Sequence, residues 1–327
     1  MRPRGAAETR NLTGCPGGQR HAVQDLEHRL AQALRDRYQI ERELGRGGMA
    51  RLYLARDRHA NPVAIKVVHP ELVAAGGVER FLREIEIAAR LAHPHILGLI
   101  DSGQFDAGGG HTLPFYVLPF VEGESLRARI DREHQLPVSE ALRIAGEVAL
   151  ALDYAHGQGV IHRDIKPENI LLPGGSAMVT DFGIARAASH TGGRITETGV
   201  ILGTPSYMSP EQAAGEQALD SRSDIYSLGS VLYAMLIGRP PFTGGTRPVI
   251  LARLRRETIP APGSLRPGLS SQLDRVVLQA LAREPERRFP TAIAFADALR
   301  MAGTGEGPSG PSWWRWSKRL GEWWNRH

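Results

Sequence analysis

The segment VIHRDIKPENILL, residues 160–172, sets His, Arg, Asp, Lys, Glu and Asn between two apolar anchors, with Pro167 preventing a regular helix. A solvated loop accounts for the charges but not for the apolar brackets; a polar loop held against a core accounts for both. Soon after comes MVTDFGIAR, 178–186, which presents Asp181 after a short β-prone run, with Phe182 and Gly183 behind it. Asn169 and Asp181 would flank a hairpin, and such oxygen donors suit Mg2+, which completes its octahedron with phosphate oxygens and water. Near the start, LGRGGMARLYLA, 44–55, is a glycine-rich turn between strand-like runs. The backbone N–H groups of Gly45, Gly47 and Gly48 can approach a phosphate that a Cβ would hold off; a plain hairpin turn explains the same glycines. Val63-Ala64-Ile65-Lys66 ends an apolar triplet on a charge that a buried strand face must neutralise. Glu84, in RFLREIEIAARL, is placed to do so, and a snorkelling edge lysine is the plain alternative.

The elements that would position these residues fall into two groups. Residues 38–70 contain short β-prone runs, YQIEREL, RLYLARD and PVAIKVV, broken by turn residues, which suits an antiparallel meander. Residues 77–92 have helical period, and FYVLPFV, 115–121, reads as another strand. After Gly123 the pattern is mainly helical. SEALRIAGEVALALDYAH puts Leu142, Ala145, Val148, Ala149 and Leu152 on one face, and DIYSLGSVLYAMLIG, 224–238, is apolar nearly all round, as a buried helix should be. Ahead of the first strand, Val23, Leu26, Leu30 and Leu34 predict a short amphipathic helix over about 21–37, preceded by a Gly/Pro/Arg-rich arm expected to be disordered.

At 327 residues the chain has room for one large domain or two lobes. Its net charge of +5 is too mild to require nucleic acid, and 42% hydrophobic residues is ordinary for a globular protein. The single cysteine, Cys15, excludes an intrachain disulfide and a multi-cysteine metal site, and implies a reducing, cytoplasmic setting. No apolar run of about 18 residues predicts a transmembrane helix, and the basic start has no apolar core behind it to make a secretory signal.

GRGGMA, VAIK, HRDIKPEN, DFG and SPE, in this order, match the protein-kinase signature set. Over roughly residues 38–299 the chain resembles the bacterial Hanks-type (eukaryotic-like) serine/threonine protein kinases. The resemblance implies an α+β, bilobal protein-kinase fold: a small β-rich N-lobe with one helix (about 38–121) and a larger, mainly helical C-lobe (about 122–299). It implies ATP with Mg2+ or Mn2+ as cofactors and protein Ser/Thr hydroxyls as substrates. By resemblance, Lys66 holds the α- and β-phosphates and pairs with Glu84. Asp164 is the catalytic base, Lys166 neutralises the transferring phosphoryl group, and Asn169 and Asp181 hold the metal. Leu44, Leu52 and Ala64 join the glycine loop in contacting nucleotide. Val63 forms the adenine roof, Leu171 the floor, Leu118 the gatekeeper, and Pro119 and Val121 the hinge contacts.

The activation segment would run from Asp181 to Glu211. In the family, an arginine in the place of Arg163 marks control by phosphorylation, and Thr196 and Thr198 stand where bacterial members carry autophosphorylated threonines. Thr204 resembles the threonine that bridges to the catalytic base. Glu211 and Arg288 match a structural ion pair, and Asp224 a brace for the catalytic loop. Self-association for trans-autophosphorylation follows as an expectation. Ala50 replaces the third loop glycine, Pro119 the usual hinge glutamate and Ser209 the alanine of the APE-like triplet; no catalytic position is lost. A pseudokinase scaffold and a small-molecule phosphotransferase are the rival classes. The intact catalytic residues weigh against the first, and the long activation segment against the second.

Residues 300–312 read as a Gly/Pro/Ser linker, and 313–327 hold all five tryptophans interleaved with arginine and lysine. That composition suits an interfacial membrane helix, hence a peripheral position at the inner face of the membrane. It suits equally a helix docked on the kinase or on a partner.

Overall fold

Strand-forming residues in the first third of the chain build one antiparallel sheet from β1 (Tyr38–Arg46), β2 (Ala50–Asp57), β3 (Pro62–Val68), β4 (Asp101–Asp106) and β5 (Thr112–Pro119). Their spatial order is β1-β2-β3-β5-β4. The structure is a computed structural model that describes residues 17–47, 50–70, 78–182, 205–216 and 218–304.

Side chains alternate across a strand, so β3 feeds two different cores. Val63, Ile65 and Val67 pack with Tyr53, Phe105, Leu113 and Phe115 on one face. Ala64 and Val68 pack on the other with Tyr116, Leu118 and the helix α2 (Val78–Ala88), through Phe81 and Ile85. The first face is closed by α1 (Gly17–Leu34), whose Leu30 and Leu34 are fully buried in it. Where the chain leaves α1, Arg37 and the Tyr38 hydroxyl both donate to Asp101, at 2.7 and 2.9 Å, tying the start of β1 to β4. Burial and that carboxylate together push the Tyr38 phenol up to about 12.

Beyond β5, the regular structure among the described residues is helical except for one small hairpin. In order it forms α3 (Leu126–Glu133), α4 (Val138–Gly157), the paired strands β6 (Ile170–Leu171) and β7 (Met178–Val179), α5 (Pro210–Ala214), α6 (Arg222–Ile237), α7 (Arg247–Arg256), α8 (Pro262–Leu265), α9 (Ser271–Ala280) and α10 (Ala292–Thr304). Ser125 and Ser209 cap α3 and α5 by accepting from backbone N–H groups of the first turn. Helix α6 is buried almost all round, as its composition predicted, and ends at Gly238 with φ +87°. A Cβ there would lie 2.8 Å from the His134 carbonyl, so both the backbone conformation and the space require glycine. Glu211 and Arg288 form a buried, two-pronged ion pair at 2.7 and 2.8 Å, with Arg288 also over the Tyr226 ring.

The expected order of a small β-rich lobe followed by a larger helical lobe is present. Two boundaries and one strand differ from expectation. Residues 17–20, expected in the disordered arm, begin α1; their helix signal is weak because the Gly-Gly pair opens it. Strand β4, DSGQFD, had no apolar alternation to announce it and is recruited by pairing with β5. Residues 300–304, expected in the linker, continue α10, where Ala302 is buried and Gly303 lies close to Leu142 of α4.

Candidate active site

The loop between α4 and β6 is irregular backbone fixed from below by one carboxylate. Asp224, wholly buried in the first turn of α6, accepts from the His162 N–H and from His156 Nε2, both at 2.8 Å, and from the Arg163 N–H at 2.7 Å. Burial pulls the Asp224 pKa upward, but His156 and the other donors hold it below the usual carboxylate range. Arg163 has φ +68°, a conformation that costs a non-glycine residue roughly 1–3 kcal/mol and persists only under restraint. Asp224 supplies that restraint from one side, and Gln212 Nε2, donating to the Arg163 carbonyl at 2.7 Å, from the other. The His162 ring, also fully buried, lies 2.9 Å from the Thr180 carbonyl and edge-on to Phe182, joining this loop to the strand that leads to Asp181.

On this base the polar side chains converge. Lys166 Nζ donates to Asp164 Oδ2 at 2.5 Å. Asn169 Nδ2 donates to the Asp164 carbonyl at 2.8 Å and to the same Oδ2 at 3.1 Å. The amide nitrogen of Asn169 is thereby spent and its oxygen is kept as an acceptor. Ile170 pairs with Val179, and the Thr180 N–H donates to the Asn169 carbonyl at 3.0 Å, so the hairpin sets Asn169 and Asp181 side by side. Asp181, at φ +71°, receives Lys66 Nζ on both oxygens at 2.5 and 2.6 Å. Burial works to raise the Asp181 pKa, but the charge and hydrogen bonds of Lys66 win and keep it low.

The hairpin is held against both lobes. Glu147 of α4, buried, accepts from the Ala177 N–H at 2.6 Å and from Arg143, which also donates to the Gly175 carbonyl at 2.7 Å. From the other side, the His95 carbonyl accepts from Val179 and the Val179 carbonyl from Leu97, both at 2.8 Å. Asn169 and Asp181 therefore flank a hairpin that is hydrogen-bonded on both sides. Their donor set, one carboxylate and one amide oxygen, fits Mg2+ or Mn2+ sharing its shell with phosphates. Among the described residues no group of three or more His, Cys, Asp or Glu could hold a metal ion.

Lys66 pairs here with Asp181, which offers both oxygens within 2.6 Å. One expected arrangement needs correction: Val63 is not an adenine roof. Strand alternation turns its side chain into the core under α1, while Ala64 lies on the opposite face with Leu52 and Leu118. Leu171 lies half-buried below, bridged to Ser125. Leu44 and Gly45 end β1, and the Gly47 N–H is used by the Ala50 carbonyl at 2.9 Å, closing the hairpin turn. In the connection after β5, the Phe120 N–H donates to the Pro62 carbonyl, leaving Pro119 and Val121 on either side of that bond. Gly48, Thr196, Thr198, Thr204 and the tail 313–327 lie outside the described residues.

Sequence reasoning missed Tyr116, Glu147, His95 and His156. Tyr116 had a readable signal: it stands two residues before Leu118 on one strand, and so on the same face, and it is opposite Lys66 in the register. The buried Glu147 and the two histidines carry no motif; only the fold brings them to the loop.

Residues 38–298 match the family model described as "Protein kinase domain". The chain is 42% identical over 283 residues to "Serine/threonine-protein kinase PknB" of Mycobacterium tuberculosis (strain ATCC 25177 / H37Ra), covering 85% of this chain and 45% of that protein. It is 39% identical over 266 residues to "Probable serine/threonine-protein kinase PknB" of Bifidobacterium longum (strain NCC 2705), covering 79% and 38%. The chain thus spans less than half the length of these curated relatives. Among solved structures, the Mycobacterium tuberculosis PknI kinase domain aligns with a TM-score of 0.63 at 33% identity, covering 81% of this chain and 95% of that one. No helix among the described residues is long and apolar enough to cross a membrane.

Proposed function

This chain belongs to the protein kinase family, in its bacterial Hanks-type branch, and on that premise we propose that it transfers the γ-phosphoryl group of ATP to serine and threonine hydroxyls of proteins, as a non-specific serine/threonine kinase. The observation that carries the reading is that Asp164, Lys166 and Asn169 are joined by hydrogen bonds and that the β6–β7 hairpin ties them to the Lys66–Asp181 pair. Phosphoryl transfer through a loose transition state needs positioning and charge compensation more than covalent help, and this set offers both.

Lys66 reaches the α- and β-phosphates from β3, the strand paired with β2. Ala64, Leu52, Leu118 and Leu171 enclose the adenine, and the Pro119–Val121 backbone meets its edge. Asp164 Oδ2 is fixed by Lys166 and Asn169, so Oδ1, with no partner among the described residues, is the oxygen that orients an incoming hydroxyl and takes its proton. Lys166 lies close enough to Asp164 to offset charge building on the transferred group. Asn169 and Asp181 would hold Mg2+ or Mn2+, which when bound neutralises the phosphate oxygens.

Incubation of the purified protein with γ-labelled ATP, Mg2+ and a generic acceptor protein, followed by phosphoamino-acid analysis, tests the reading. Label on serine or threonine is expected; no label, or label confined to tyrosine or small molecules, would end it. Autophosphorylation at Thr196 or Thr198, read by Arg163, belongs to the same proposal and is checked by mass spectrometry of the product. The basic, tryptophan-rich tail we assign to contact with an anionic membrane surface or with a partner. Co-flotation of the whole chain with anionic vesicles, lost on truncation after residue 304, supports the first; no flotation leaves the partner.

A further inference from the structure

On the face of β5 that carries Leu118, Tyr116 bears the one buried polar group. Tyr116 is 2% exposed, within an otherwise apolar cluster that includes Phe81, Ile85 and Leu118. A phenol buried there gains nothing over phenylalanine unless its hydroxyl finds a partner. It does: the hydroxyl donates to Asp181 Oδ1 at 3.2 Å, and the ring lies under Lys66 Nζ, 5.9 Å from its centroid. Strand register accounts for the meeting, since Tyr116 is the direct cross-strand neighbour of Lys66.

The two oxygens of Asp181 are consequently unequal. Among the described residues, Oδ1 accepts from Lys66, from Tyr116 and, at 3.3 Å, from the Thr180 hydroxyl; Oδ2 accepts from Lys66 alone. A neutral donor can stay on a carboxylate oxygen when a cation approaches the other, whereas the lysine ammonium competes with that cation for both. We propose that Tyr116 is a positioning residue for the metal-binding carboxylate: its hydroxyl anchors Oδ1 of Asp181 and so presents Oδ2 to the divalent cation. Outer-shell donors of this kind orient a ligand and pre-organise its site. The inference rests on the assignment of Asp181 as a metal ligand made above.

Tyr116→Phe keeps the ring, its volume and its place beneath Lys66, and removes only the hydroxyl. The direct test is Mn2+ binding to the protein with ADP, followed by electron paramagnetic resonance of the free ion, with no turnover required. Wild-type protein binds Mn2+, Asp181→Asn abolishes or severely weakens binding, and Tyr116→Phe weakens it roughly tenfold. In steady-state assays the same variant raises the Mg2+ concentration for half-maximal rate, with kcat at saturating metal within about twofold of wild type. An Mn2+ affinity equal to wild type overturns the proposal. So does a tighter one, which would make the phenol a latch that opposes the metal. If wild-type protein binds no Mn2+, or Asp181→Asn binds it normally, the metal-ligand assignment itself is wrong, a result distinct from failure of the Tyr116 role. Thr180→Val removes the more distant hydroxyl from the same oxygen and should weaken binding by less than Tyr116→Phe. If Tyr116→Phe does not fold, unchanged affinity in Thr180→Val overturns the idea that hydroxyl donors anchor Oδ1.

Discussion

Replacing Glu211 by glutamine should destabilise the helical lobe by an amount that shrinks in acid. Glu211 is 7% exposed and receives both arms of Arg288 and the Ser223 hydroxyl, at 2.6–2.8 Å. Burial alone would raise its pKa; Arg288 and Ser223 reverse the sign and bring it from 4.5 down to about 2. A carboxyl whose pKa is depressed in the folded state stabilises that state above its unfolded pKa. The stabilisation is lost as pH falls through the folded value. That depression corresponds to about 3 kcal/mol at pH 7, and the same two pKa values leave roughly 1 kcal/mol at pH 3. The pH 7 figure agrees with the roughly 3–5 kcal/mol seen when one partner of a buried ion pair is removed. Urea denaturation of wild type and Glu211→Gln at both pH values isolates this effect, because every other titrating group is common to the two proteins. A difference near 3 kcal/mol at neutral pH, falling by more than half at pH 3, is expected. Equal losses at the two pH values, or none at pH 7, would refute the reasoning that Arg288 holds Glu211 ionised.

Leu30→Ala should cost about 2–5 kcal/mol in the same denaturation assay, because Leu30 is fully buried between α1 and the sheet; a change near zero would mean α1 does not dock. Asp224→Asn keeps the side-chain shape but leaves one oxygen to serve three donors, so Arg163 and its neighbours lose their anchor. Its kcat should fall about 10- to 100-fold with the KM for ATP changed far less, by steady-state kinetics. A variant with full kcat would remove Asp224 from the positioning of the loop.

The parts of the site most legible in sequence were those whose chemistry leaves few substitutes. The roles proposed for Asp164, Asn169 and Asp181 on a loop and a hairpin, and for Lys66 on β3, admit few other residue types, so these four stood out together. Helix α6 was legible because its apolar residues run all round, and α4 because they repeat on one face. Facing direction within an apolar run was harder. In VAIK the alternation of β3 decides between Val63 and Ala64, and composition alone does not say which face the cleft takes. Pairing among buried charges was also hidden: Glu84 and Asp181 are both carboxylates within reach of a strand lysine in principle, and only the turn after β7 brings Asp181 to it. Strand β4 owes its form to β5 and carries little signal of its own. Tyr116 sat unnoticed because a hydroxyl in an apolar strand matters only when its partner, 65 residues later, is known.

In the proposed function, catalysis turns on Asp164 acting on the acceptor hydroxyl and not on nucleotide binding. Steady-state kinetics of Asp164→Asn beside wild type, with Mg2+ and a protein acceptor, separates the two most directly. Asparagine keeps the contacts' geometry but cannot take the proton, so kcat should drop by about 10²–10⁴-fold while nucleotide binding stays within a few-fold of wild type. A variant that phosphorylates its acceptor at the wild-type rate would contradict that role outright.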